Sequence, residues 1–261
     1  MDKFADIDET SQKKDRLFIE AVSRALRVLE AYSDEPHPQS LSQLAAASGL
    51  DKSAAQRIAH TLNRLGYLEQ RPGGYVPGRR LLDRTFDYLR SNPLVSQAIP
   101  ILTELRRNVM ERVDMSLFDD LTMQYVVRLQ SKRDSFYAHL IGRRVPTYCT
   151  AGGRAVLSLL PEERARDIVT RSDRRKITPR TVTDIDETLE HVARAREAGY
   201  ATSLEQVYMG ELALGVALTD KDGKPIGAIH VAGSLGEWQL DEFERRIAPL
   251  VVAAGRAVSS S

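Results

Sequence analysis

The chain has 261 residues, enough for two domains, and its 42% hydrophobic and 28% charged residues are ordinary proportions for a globular protein with a packed core. A net charge of +1 gives no global bias toward nucleic acid or acidic surfaces, the single cysteine, Cys149, excludes an internal disulfide or multi-cysteine zinc site, and no apolar run approaches the roughly eighteen residues of a membrane span. A reducing, cytoplasmic setting is therefore expected, and residues 1–14, polar and without an apolar run or cleavage signature, read as a loose tail rather than a secretion signal.

The first periodic segment spans residues 18–32, where Ile19, Val22, Leu26 and Leu29 recur at spacings of three and four and define one apolar face, with Arg24 and Arg27 outside it. Residues 36–39 break that pattern. Ser40 then caps a short helix carrying Leu41, Leu44 and Ala45, which Gly49 ends. Asp51 caps a third helix whose buried stripe is Ala55, Ile58, Leu62 and Leu65, stopped at Gly66. Two short helices joined by a tight glycine-containing turn form the architecture that sets the second helix into a DNA major groove. The opposite face of that helix carries Lys52, Ser53, Gln56, Arg57 and His60. Arg57 suits a bidentate bond to guanine and Gln56 one to adenine, while Lys52 and Ser53 suit phosphates at the helix start. From Lys52 to Arg80 the basic residues Lys52, Arg57, Arg64, Arg71, Arg79 and Arg80 face only Glu69. A solvated helix face is the bland alternative, and the three-helix frame favours DNA.

Residues 67–77 form two strand-like pieces around Pro72 and Gly73, the pattern of a wing, with Arg71 placed to reach phosphate or the minor groove or else to decorate an ordinary hairpin tip. Residues 79–91, with Leu82, Phe86 and Leu89 in register, read as a connecting helix ended by Asn92 and Pro93. A further helix is expected over 94–112 on Val95, Ile99, Leu102, Leu105 and Val109. Beyond it, strands are expected at 115–118, 123–129, 136–140, 211–219 and 225–232, the last two flanking a turn at 220–224 (DKDGK). Helices are expected at 152–160, 185–198 and 240–258, so the second part is an α+β domain suited to a small-ligand cavity. Ala151, Gly152 and Gly153 open the first of these helices; their small side chains leave amides accessible to an anion, or else allow close packing of helix on sheet. Tyr148 and Met209 are candidate apolar walls of the cavity.

Residues 21–30 (AVSRALRVLE), 40–45 (SLSQLA), 57–68 (RIAHTLNRLGYL) and 142–155 (GRRVPTYCTAGGRA) resemble the signatures of IclR-type regulators, nearly end to end. The chain departs from that pattern at Asp51, where proline is frequent, and at Ala54, where threonine is common. The resemblance implies a tail at 1–16, a winged helix-turn-helix at 17–78, a linker and dimerisation helix at 79–92, and a GAF-like α/β effector-binding domain at 93–261. It implies a homodimer, with a dimer of dimers as a further assembly, on a near-palindromic double-stranded DNA operator. The expected DNA-facing set is Arg24, Ser40, Lys52, Ser53, Ala54, Gln56, Arg57, His60 and Arg71. The effector set carried over from the resemblance is Ala151, Gly152, Ser203, Glu211, Ala213, His230 and Ala232, with the small-molecule effector aromatic or carboxylic. A repressor of a catabolic operon is implied, an activator of the same class being the alternative. No cofactor, metal or membrane partner is expected.

Two rival readings frame this one. Cys149 near a helix start, with His139 and His230 elsewhere, superficially provides a nucleophile and a base, which would make the chain a cysteine-dependent hydrolase with an appended DNA-binding domain. No thiol-protease motif, phosphate-cradling loop, nucleotide fingerprint or nucleophile elbow accompanies them, so catalysis is not expected. A purely architectural DNA-binding protein would need no ligand cavity at all.

Overall fold

The computed structural model describes residues 16–32, 37–130 and 141–260, so nearly all of the expected tail, Pro36, the expected strand at 136–140 and His139 lie outside the described residues. The chain divides into two units, Met1–Ser91 and Asn92–Ser261.

In the first unit, α1 (Glu20–Glu30), α2 (Leu41–Ser48) and α3 (Lys52–Arg64) precede a hairpin of β1 (Leu68–Arg71) and β2 (Gly74–Pro77), and α4 (Arg80–Ser91) closes the unit. The helix starts are fixed by their own side chains. Ser40 and Gln43 form a reciprocal capping box at α2, and Asp51 accepts the Ala54 amide at 2.8 Å at α3. Each such cap contributes about 1 kcal/mol. Gly49 sits in the left-handed region at φ 64°, which turns α2 directly into α3. The core is Val28, Leu44, Ala59, Leu62 and Leu68. The hairpin is tied to the helices because Gln39 and Tyr75 exchange both backbone bonds. Gly74 permits that tie, since a Cβ there would fall 2.2 Å from the Gln39 carbonyl oxygen.

The apolar stripe of α1 divides: Ile19, Val22 and Leu26 are exposed, whereas Leu29 packs against the core that Val28 joins. Periodicity detects an apolar stripe without saying what covers it. Leu65, expected in the buried stripe of α3, is exposed because it is the C-cap residue, where the chain leaves the helix into the turn at Gly66. Of the expected stripe Ala55 and Leu62 are buried and Ile58 packs against the core, and Ala59 joins them. Helix α4 has no buried residue, and its Leu82 and Phe86 are 70% and 63% exposed.

The second unit begins with α5 (Pro93–Val109), which stops three residues earlier than expected because Met110 turns into the left-handed region. The strands β3 (Arg112–Asp119), β4 (Thr122–Leu129), β5 (Arg144–Pro146), β6 (Ala201–Leu204), β7 (Glu211–Thr219) and β8 (Pro225–Ser234) form one sheet in the order β5-β4-β3-β8-β7-β6, every pair antiparallel. Four helices complete the unit: α6 (Ala151–Ser158), α7 (Glu162–Arg171), α8 (Ile185–Ala198) and α9 (Leu240–Ser259). Helices α5 and α9 cover one face of the sheet; α6 covers the other, with α8 packed against α6 and α7 against α8. Strand β3 shows why. Its Val113 and Met115 are buried in the apolar core, while the intervening Arg112, Asp114 and Ser116 turn to the α6 side. The fold is thus α+β with a winged helix-turn-helix and a separate sheet domain. Strands β5 and β6 and helix α7 were not expected from sequence: the strands have three and four residues, and α7 is so charged that only Ala165, Ile168 and Val169 are buried.

Candidate DNA interface and effector site

On α3, the buried side is taken by Ala55, Ala59 and Leu62, which leaves Lys52, Ser53, Gln56, Arg57 and His60 on the open face. Among the described residues, neither Lys52 nor Arg57 has a carboxylate within ion-pair distance, so both cations are available to an external anion. At a groove floor such groups read bases; at its edge they hold phosphates. The other members of the expected set are placed differently. Arg71 stands at the end of β1 and is bonded to Glu69 at 2.7 Å, an exposed pair that costs little to open. Arg24 pairs with Glu20 on α1 at 2.9 Å. The Ser40 hydroxyl is engaged by Gln43 at 2.7 Å, and Ala54 is half-buried with its amide held by Asp51.

In the second unit the sheet face toward α6 carries the polar groups. His230 is buried, with Nε2 2.6 Å from the Ser116 Oγ and its ring 5.5 Å from that of Tyr125. Burial holds the imidazole down, to about 4, so it is neutral at physiological pH. Asp114, wholly buried, accepts from Arg112 Nε at 2.9 Å and from Arg128 Nε and Nη2 at 2.8 and 3.0 Å. Arg112 also reaches Glu211 at 2.7 Å. Ala232, Ala213 and Ser203 lie side by side on β8, β7 and β6, level with Arg112 on β3.

Helix α6 presses onto this face. A Cβ on Gly152 would fall 2.1 Å from His230, and one on Gly215 would fall 2.5 Å from the backbone of Ala151. Ala151 and Gly152 are buried, and the Gly153 amide is capped by Thr150 at 3.1 Å. The expectation of accessible amides at this helix start is therefore corrected: the small residues serve close packing, and the His230 ring fills the space over Gly152. Tyr148 is corrected as well. It belongs to a cluster with Leu157, Ile168, Val169 and Val192 behind α6, and its hydroxyl donates to the Arg175 carbonyl at 3.0 Å. Met209 is exposed, in the segment between β6 and β7. Ser203 donates to the Cys149 carbonyl at 3.4 Å.

The structure thus brings Glu211, Ala213, His230, Ala232 and Ser203 to one face, and adds Arg112, Asp114, Ser116, Tyr125 and Arg128, which sequence reasoning missed. Their signal was present in the alternation of β3, but polar positions of an alternating strand look like solvent positions. Cys149 is buried behind α6, and burial pushes its thiol up to about 11, away from the thiolate a nucleophile needs. Among the described residues no group of three or more His, Cys, Asp or Glu side chains is arranged to hold a metal ion, and no helix is long and apolar enough to cross a membrane.

Comparison with known proteins adds independent support. Residues 21–72 match the IclR helix-turn-helix domain, and residues 86–260 match the bacterial transcriptional regulator IclR C-terminal domain. The Pca regulon regulatory protein of Pseudomonas putida is 25% identical over 240 residues, covering 92% of this chain and 82% of the relative. The transcriptional repressor IclR of Escherichia coli is 23% identical over 245 residues, covering 92% and 89%. Among solved structures, an IclR homologue from Microbacterium hydrocarbonoxydans, complexed with 4-hydroxybenzoate, superposes with a TM-score of 0.73 at 21% identity over 92% of this chain and 100% of that one.

Proposed function

The chain belongs to the IclR family of DNA-binding transcription regulators, and from that premise we propose that it represses a catabolic operon and leaves its operator when a small aromatic or carboxylic metabolite binds the second unit. The observation that carries the DNA half is the open face of α3, where Lys52, Ser53, Gln56, Arg57 and His60 stand together on a helix whose opposite side is locked in the core. In this reading residues 17–78 contact DNA, 79–92 join and pair protomers, and 93–261 sense the effector. Arg71 reaches a phosphate from the wing once Glu69 releases it, while Arg24, Ser40 and Ala54 approach the backbone from the flanks of the reading helix.

A homodimer is supported by the apolar faces that the first unit leaves open. Ile19 just before α1, Val22 and Leu26 on it, and Leu82 and Phe86 on α4 are large, exposed and aligned at helical spacing. Pairing α4 with its symmetry mate buries that stripe and presents two α3 helices to two half-sites of a near-palindrome; pairing of such dimers gives the larger assembly. The effector site proposed is the α6-facing sheet surface around Glu211, Ala213, His230, Ala232 and Ser203, bordered by Ala151 and Gly152. Aromatic or carboxylic ligands are supported by the 4-hydroxybenzoate complexed with the Microbacterium fold neighbour. Control is linkage: a ligand that prefers the sensor conformation of the DNA-free state weakens operator binding by about 1–3 kcal/mol, roughly 5- to 150-fold. The test is a thermal-shift screen of metabolites on the full chain, followed by gel shifts on an operator selected from random duplex DNA. A stabilising metabolite that releases the operator is the expected result; a screen in which no stabilising compound alters DNA affinity would remove the sensor reading.

A further inference from the structure

The sensor sheet carries a linear chain of four charged groups, Arg128–Asp114–Arg112–Glu211, whose members differ in how firmly they are held. Asp114 is saturated by three bonds from two guanidiniums, and the Arg128 side chain is only 2% exposed. The trio of Arg128, Asp114 and Arg112 carries one excess positive charge. Glu211 cancels it through its Oε2, 2.7 Å from Arg112 Nη1, and with a side-chain exposure of 21% it is the most solvent-accessible of the four. Glu211 is also the first residue of β7. Its backbone is held, since its carbonyl accepts the Glu205 amide at 2.8 Å, but its side chain can swing outward without breaking a strand bond.

Beside this terminal carboxylate the sheet carries small side chains, of which Ala232 and Ser203 are buried and Ala213 is partly exposed. Ala232 is level with Arg112, Ala213 with Ala232, and Ser203 with Ala213, a row of three small side chains. Ala213 remains partly exposed although its strand is paired on both sides, so solvent reaches the sheet at this point. Tyr208 stands nearby in the segment before β7, with the Arg143 guanidinium bonded to its hydroxyl and 5.5 Å above its ring.

The geometry points to Glu211 as an internal stand-in for the effector's own carboxylate. On this assignment, which rests on the reading of the sheet face as the effector site, an incoming carboxylate takes Arg112 Nη1, the Glu211 side chain is released to water, and the organic body of the ligand lies over Ala232, Ala213 and Ser203. The exchange is electrically neutral along the buried chain, so Arg112 never loses a counter-ion. An amine would do the opposite, competing with Arg112 for Glu211 and placing a second cation beside the guanidinium. Release of Glu211 also gives the two states different contacts at the start of β7, where Glu205 holds the Gly210 amide at 2.8 Å, and that difference is what a ligand needs to shift a conformational balance.

Calorimetric titration of the full chain with sodium benzoate, sodium acetate and benzylamine hydrochloride at fixed ionic strength tests the assignment. Benzoate or acetate is expected to bind and benzylamine is not, and Glu211→Gln, which removes the competing charge at nearly constant shape, is expected to tighten carboxylate binding at least several-fold. Glu211→Asp, one methylene shorter and so a weaker competitor for Arg112, should act in the same direction to a smaller extent and serves if the glutamine variant folds poorly. Carboxylate affinity that is unchanged or weaker in both variants overturns the exchange, as does preferential binding of benzylamine, which leaves the effector reading standing with a different ligand class. Failure of all three probes also overturns the carboxylate assignment, while the effector reading is judged separately by the metabolite screen.

Discussion

Arg57 stands on the open face of α3 with no carboxylate near it among the described residues, whereas the Arg128 side chain is 2% exposed and makes two bonds to a buried aspartate. The two units use the same side chain in opposite ways. A cation that must meet DNA is kept solvated and unpaired, so that binding costs little desolvation and gains counterion release. The Arg128 guanidinium on the candidate effector face is buried and pre-paired, so its position is fixed and removal of its partner leaves an uncompensated charge. Substitutions in the first unit should therefore change affinity and spare stability, while those in the second should change stability first.

The largest effect expected is from Asp114→Asn, which leaves Arg112 and Arg128 buried without their shared counter-ion. It should destabilise the sensor unit by about 3–5 kcal/mol in urea unfolding, and a loss below about 1 kcal/mol would show that solvent already reaches the pair. Next is pH. His230 is neutral when folded, with its value lowered from 6.5 to about 4 by burial, against which Asp114 works and Arg112 and Arg128 add. The unfolded chain binds the proton first, so stability is full above about pH 6.5 and falls as pH drops toward 4, by at most about 3 kcal/mol from this residue. His230→Asn should flatten that slope without abolishing it, because His191 is lowered to about 4 as well. An unchanged slope would mean that the ring is solvated in the native state.

Arg57→Ala breaks the comparison from the other side. It should weaken operator binding by about 1–3 kcal/mol and relax base choice at one position, with the melting temperature unchanged. Arg71→Ala should be smallest. Its exposed bond to Glu69 contributes little to stability, and the expected change is a reduction of about one in the salt slope of DNA binding, uniform across sequences.

Much of this organisation was legible before any coordinates. Helix caps, glycine stops and three- and four-residue spacing placed α2, α3 and the wing closely, because those signals are local. The open face of α3 followed from its buried one. What covers an apolar stripe was not legible: Ile19, Val22 and Leu26 share a face with Leu29, yet they stand exposed while Leu29 packs on the core, since spacing is the same whatever meets the stripe. The candidate effector face was half legible. Glu211, Ala213, His230 and Ala232 came from family resemblance, while Arg112, Asp114, Ser116 and Arg128 were hidden because sheet order β4-β3-β8-β7 depends on pairings far apart in the chain. The amides at the start of α6 looked open for the same reason, as only the register of Gly152 against His230 closes them.

The most direct test is fluorescence anisotropy of a selected operator duplex titrated with the wild-type chain and with a Lys52→Ala, Gln56→Ala, Arg57→Ala triple variant, each checked for an unchanged melting curve. Loss of sequence-specific binding in a variant as stable as the wild type is the predicted result. Undiminished specific binding would contradict the assignment of the open face of α3 as the surface that reads DNA.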